Sequence, residues 1–217
     1  MNKEWMEKAE AFLKATYAAS SYMQENPADM TYRLEHAYRV ANIAKAIAQA
    51  EGFDVSYAVL GGLLHDISYI EDMPDREVWK EHGRVSAAMV RPFLESLGLP
   101  EKAVGDICYS IAIHVDDQAD FPWERTPFCE IVGDADNIDR FDVYRIYESL
   151  EFNKFSEKSL EGKREHVAST MERLHKLQTM CLGSETANAL WQQRLAYYLG
   201  FFEKLQTQLS FSSCLTE

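Results

Sequence analysis

The chain has 217 residues, 47% of them hydrophobic, enough to bury a sizeable core in one large domain or a domain with an appended piece. A formal net charge of −13 repels phosphate backbones and anionic lipid surfaces, so neither nucleic acid nor membrane is expected as the main partner. No run approaches ~18 consecutive apolar residues, and the charged start MNKEWMEKAEAF does not read as a signal peptide, so a cytoplasmic protein is expected.

Helical periodicity dominates. Residues 3–24 place Trp5, Ala9, Phe12, Leu13, Thr16 and Tyr17 on one side, and ENPAD at 25–29 breaks the chain. A second helix is predicted from near Thr31, capped by Asp29 or Thr31, to Glu51-Gly52. Asp54 is a good cap for a third helix ending near Asp66. SYIEDMPDREVWKEHG reads as a polar connection, and a fourth helix is predicted over about 83–97, stopping at LGLP. From Pro100 or Glu101 onward, Ile107, Tyr109, Ile111, Ile113 and Val115 alternate as in a strand, but Val104, Ile107, Ile111 and Val115 also fit a helix. Helical neighbours and the Pro-Glu start favour the helix. DQADFPWERTP is a loop, followed by helices at roughly 126–138 and 140–152.

The last third differs. Residues 157–181 and 185–209 read as two long charged helices with a break at LGSE. In the second, Trp191, Leu195, Tyr198, Phe202, Leu205 and Leu209 form a heptad-like seam. That seam fits a hairpin packed on the core or a homodimer interface. The expected organisation is a core over 1–150 and a C-terminal helical hairpin over 151–217. The cysteines at 108, 129, 181 and 214 include no C-x-x-C pair and suggest free thiols, one of them exposed near the end.

Six histidines stand at 36, 65, 82, 114, 166 and 175. The last two lie in the charged C-terminal part and are expected to be solvated. The first four fall in the apolar helical region, at helix ends or on apolar faces. His65 and Asp66 follow the buried-looking run AVLGGLL. Neighbours on a helix diverge by ~100°, so an imidazole and a carboxylate removed from water there call for a third body between them. Asp134 lies in IVGDADNID, where an apolar turn leads into an acidic one. Packed helices can bring such positions to one level of a bundle.

The order of these motifs, HAYRVANIAKAIA, VLGGLLHDI, HGRVSAAMV and VGDADNID, resembles the HD-domain metal-dependent phosphohydrolases over roughly residues 30–150, and most of all the small bacterial HD hydrolases that include nucleotide pyrophosphatases. The resemblance implies an all-α HD-domain helical bundle with the hairpin appended. It implies that His36, His65, Asp66 and Asp134 bind one divalent metal, and that His82 and His114 bind a second metal or substrate phosphate. In HDISYIED the acidic pair arrives two residues late for the H-D-x-x-E-D run of guanosine-tetraphosphate hydrolases.

Two imidazoles and two carboxylates favour Mn, Fe, Co, Ni or Zn over Mg, which prefers all-oxygen surroundings. Metal-bound water becomes hydroxide near neutral pH, and Asp66 or a nearby carboxylate is expected to orient it. Such a site suits a phosphate ester or anhydride. Arg39, three residues after His36, is the first choice to hold substrate phosphates, with Arg140 beside it; Asn137 is expected to support Asp134. The function expected is hydrolysis of a nucleoside triphosphate to monophosphate and pyrophosphate. The alternatives are a phosphomonoesterase or phosphodiesterase acting on a small phosphorylated metabolite, and a non-catalytic nucleotide-sensing HD protein.

Overall fold

A computed structural model describes residues 1–213, and Cys214 lies outside them. The described residues form helices and contain no strand. They divide into two compact units, Met1–Asp139 and Arg140–Glu217.

The first unit holds α1 (Lys3–Ala19), α2 (Ser21–Glu25), α3 (Pro27–Glu51), α4 (Val55–Leu64), α5 (Arg76–Ser96), α6 (Glu101–Ile113) and α7 (Ile131–Asp139). The single helix expected over 3–24 is two. Ser20 adopts extended angles, its hydroxyl caps α2 at Met23 N, and it donates to the Ile70 carbonyl. α3 begins four residues before Thr31, with Pro27 in its first turn where a missing N–H costs nothing. It ends at Gly52, whose φ of 76° is the left-handed cap that glycine adopts most readily. Asp54 caps α4, accepting from Ser56 N and Tyr57 N.

α5 starts at Arg76, well before the expected 83, because Asp75 accepts from Glu77 N and Val78 N. Its first two turns, REVWKEH, have only the adjacent Val78 and Trp79 as apolar residues and show no repeating stripe, so periodicity misses them. His82 therefore lies inside a helix. The ambiguous segment is helical. α6 buries Val104, Ile107, Cys108, Ser110, Ile111, Ala112 and Ile113, residues spread around most of its circumference. A helix buried nearly all round carries no single stripe, which explains its strand-like alternation.

The core of this unit gathers Leu13 and Tyr17 of α1, Leu60 and Leu64 of α4, Val90 and Leu94 of α5 and Ile107 and Ile111 of α6. α4 runs close to α3 and α7. A Cβ on Gly62 would stand 2.9 Å from Ala41 Cα, and one on Gly61 would meet Val132 Cγ2 at 2.9 Å. α5 and α6 touch as closely, since a Cβ on Gly83 would lie 2.7 Å from the Ala112 carbonyl oxygen.

The second unit holds α8 (Val143–Phe152), α9 (Leu160–Leu177) and α10 (Glu185–Ser210). The boundary falls after Asp139, earlier than the expected 150, so α8 groups with the long helices. Phe141 explains this, with its ring 4.8 Å from Trp191 and 5.6 Å from Tyr198 on α10. Arg194 on α10 also reaches Asp142 at 3.3 Å. α9 and α10 are antiparallel, since Arg164 bonds the Leu209 carbonyl at one end and Gln192 bonds that of Gln178 at the other. Trp191, Leu195, Tyr198 and Phe202 of the seam are buried within the single chain. His166 is not solvated as expected; it is half-buried beside Phe155 and Phe202.

Gly62→Ala should lower stability by about 1–3 kcal/mol, because the new methyl meets backbone that cannot rotate away. Thermal denaturation checks this, and an unchanged midpoint would show that α3 and α4 do not pack so closely.

Candidate metal centre

The centre is built where helices stop. α4 ends at Leu64, and His65 and Asp66 follow at the turn into a short 3-10 segment, Ile67–Ile70. His65 keeps helical angles, but Asp66 takes φ −105° and ψ 19°, in the sparsely used bridge region. The change in backbone brings the two side chains to one place, with His65 Nε2 3.5 Å from Asp66 Oδ1.

Three further imidazoles converge on the same carboxylate. His82 Nε2 and His114 Nε2 lie 3.1 and 3.6 Å from Asp66 Oδ1, and His36 Nε2 lies 3.6 Å from Oδ2. The two later rings approach each other to 3.1 Å between Nε2 atoms. α3, α4, α5 and α6 thus each supply one histidine, and all four side chains are buried.

The other nitrogen of each ring fixes its orientation. His65 Nδ1 donates to the Gly62 carbonyl, His82 Nδ1 to that of Trp79 and His114 Nδ1 to that of Ile111. Each acceptor sits three residues back in the chain. A carbonyl only accepts, so Nδ1 carries a proton in each of these rings and Nε2 is the nitrogen turned inward. His36 Nδ1 donates to Asp139 Oδ2 at 2.8 Å, and Arg39 Nε donates to both Asp139 oxygens at 2.9 and 3.2 Å. This is the arrangement that orients a metal-binding imidazole from behind.

Burial disfavours the charged form of His36, but Asp136 and Asp139 outweigh it and raise its pKa to about 9. In the metal-free chain a proton therefore occupies the position a metal would take on His36. Burial pushes His65 down to about 4, so it is neutral. Burial also opposes the charge on Asp66, yet the ring of imidazoles around it holds its carboxyl well below the usual range.

These residues fit a divalent cation. His65 Nε2 and Asp66 Oδ1 are buried with no hydrogen-bond partner. A lone pair facing an anionic oxygen in the interior is repulsive and costly unless positive charge lies between them. Donor atoms of His36, His65 and Asp66 come within 4.8 Å of one another, as do those of Asp66, His82 and His114. The two groups share Asp66.

The other expected residues have distinct surroundings. Asp136, two positions after the expected Asp134, stands 3.3 Å from His36 Nε2. Two residues turn a helix by ~200°, so the face that brings Asp136 inward carries Asp134 to another side of α7. Arg39 Nε is engaged with Asp139, which sets that side of the guanidinium behind His36. Asp139 supports His36, and Asn137 is half-buried on α7. Arg140 is an exposed residue following α7, the first of the second unit.

Sequence reasoning missed Arg33. Its Nη1 donates to Asp66 Oδ2 at 3.0 Å, and its guanidinium lies 3.3 Å from the centre of the Tyr69 ring. The signal was available, since Arg33 is three residues before His36 and so shares its face. Three buried hydrogen bonds hold the turn. Tyr17 Oη donates to the Asp66 carbonyl, and Ser68 Oγ donates to the His82 carbonyl while accepting from Ser86 Oγ.

A buried cluster of imidazoles and carboxylates at the helix ends of a bundle defines a divalent-metal protein. Residues 33–143, just over half of the chain, match the HD domain family, and the chain belongs to that family. It is thereby a metal-dependent phosphohydrolase in general type. Among solved structures it is similar to a predicted HD superfamily hydrolase from an uncultured Thermotogales bacterium, at 18% identity and a TM-score of 0.62, covering 93% of this chain and 91% of that one. It is also similar to Bacillus subtilis YpgQ, solved in complex with ADP, at 17% identity and a TM-score of 0.62, covering 94% and 95%. At these identities the likeness is one of fold. No curated protein matches the sequence. No described helix is long and apolar enough to cross a membrane.

Asp136→Asn should lower metal content per chain at least tenfold relative to Asp134→Asn, since Asp136 is the carboxylate that stands 3.3 Å from His36 Nε2. Elemental analysis after purification without chelator checks this. The reverse order would restore Asp134 as the ligand.

Proposed function

We propose that this chain hydrolyses nucleoside triphosphates to the monophosphate and pyrophosphate, using a divalent transition metal. The observation that carries the reading is the buried set of Nε2 atoms around Asp66, with His65 Nε2 and Asp66 Oδ1 left unpaired. A mixed nitrogen and oxygen donor set favours Mn, Fe, Co, Ni or Zn over Mg. When bound, the ion supplies a water of lowered pKa and takes charge from a phosphoryl oxygen.

The protein's own groups do the rest. His36, His65, Asp66 and Asp136 hold the ion, while Asp139 and Arg39 keep His36 aimed. His82 and His114, sharing Asp66 Oδ1, face either a second ion or a substrate phosphate oxygen. Asp66 also orients the attacking water. Arg33 places a fixed positive charge against the other Asp66 oxygen. Binding that sets the α-phosphorus in line with the activated water makes pyrophosphate the leaving group. A nucleotide substrate is also in keeping with the structural neighbour solved with ADP.

Hydrolysis in oxygen-18 water, followed by mass analysis, tests this. The expected first products are a nucleoside monophosphate and pyrophosphate with no diphosphate intermediate. Diphosphate and orthophosphate as first products would overturn the assignment. No turnover of any triphosphate with any of these metals would favour a phosphomonoesterase or phosphodiesterase.

A further inference from the structure

Beside the centre lies a cavity of about 180 Å³, lined by Tyr22, Asp29, Arg33, Tyr69 and Asp72 together with Met23 and Met73. It is smaller than the ~300 Å³ at which pockets begin to enclose a whole drug-sized ligand, so it suits one part of a substrate. Arg33 belongs to both places. It lines the cavity, and its Nη1 bonds Asp66 Oδ2 at 3.0 Å. Whatever occupies the cavity is therefore next to the reacting group.

The walls describe their occupant. The Arg33 guanidinium is held rigidly against the Tyr69 ring at 3.3 Å and near the Tyr32 ring at 5.3 Å, and with Tyr22 and Tyr69 on the wall the cavity offers aromatic surface suited to a planar ring. Met23 and Met73 supply polarizable apolar contact. Asp29 and Asp72 add two exposed carboxylates, and Tyr22 Oη donates to Asp29 Oδ2 at 3.0 Å, fixing that carboxylate's position. Acidic groups would repel a phosphate chain but accept hydrogen bonds from amino groups.

We propose that this cavity is the subsite for the base of the substrate, and that its carboxylates select rings bearing an exocyclic amine, namely adenine, guanine or cytosine. This rests on the nucleotide reading above. Uracil and thymine offer one ring N–H flanked by two carbonyls, whose oxygens face an approaching carboxylate and repel it. A site that accepts from a substrate N–H rejects the analogue lacking it much more strongly than an apolar pocket rejects a change of size.

The test separates binding of the base from hydrolysis. The full-length, manganese-loaded chain is titrated calorimetrically with adenosine, guanosine, cytidine and uridine, which carry no phosphate. Uridine is expected to bind roughly tenfold more weakly than the other three, in line with loss of a charge-assisted hydrogen bond. The double variant Asp29→Asn, Asp72→Asn should abolish that preference while keeping its manganese. Equal binding of all four, no binding of any, or an unchanged preference in the double variant would overturn the assignment. Triphosphate turnover is followed on the same samples. A base preference without turnover would sink the hydrolysis reading alone, and turnover without a base preference would sink the cavity assignment alone.

Discussion

One buried carboxylate organises the first unit. Asp66 is within 4 Å of four imidazoles and is bonded by Arg33. A carboxylate in a protein interior is tolerated only where charge and hydrogen bonds replace lost water. Every helix that contributes to the site is positioned by that requirement. α3 must present His36 and Arg33, α5 and α6 must bring His82 and His114 together, and α7 must turn Asp136 inward.

The close helix crossings make this convergence geometrically feasible. Gly61 and Gly62 let α4 lie against α7 and α3, and Gly83 lets α5 lie against the end of α6. Bulkier residues would move the helix axes apart and draw the imidazoles away from Asp66. The glycines adjoin the ligands in sequence, Gly62 supplying the very carbonyl that orients His65 and Gly83 following His82. Packing and ligand orientation are thus the same local feature. Behind His36 the support is longer, running through Asp139 to Arg39, because no carbonyl of α3 serves it.

Much of this was legible in the sequence. Four histidines and an aspartate at helix ends or on apolar faces of one core are hard to place except around a common charge, and they do share one. The choice between Asp134 and Asp136 was not legible. Two positions on a helix differ by ~200°, so the choice depends on the rotation of α7 about its axis. That rotation is set by where the 3-10 turn Pro127–Glu130 gives way to α7. Arg39 and Arg33 posed a similar choice, since both lie three residues from His36. The nearby Asp139 captured Arg39, and a contact between residues 100 apart in sequence leaves no local signature. The early start of α5 and the place of α8 were missed for simpler reasons. A polar first turn shows no stripe, and a single clasping Phe141 decides which unit receives the helix.

The central claim is that imidazole nitrogens and carboxylate oxygens around Asp66 hold a divalent metal. X-ray absorption at the metal edge of the loaded chain tests it most directly. The account predicts a first shell of nitrogen and oxygen at ~2.0–2.2 Å with imidazole scattering beyond it, as expected for histidine and carboxylate ligands. That imidazole signature should vanish in parallel with bound metal in His65→Ala. Sulfur in the first shell, or a shell of oxygen alone unaffected by His65→Ala, would contradict it.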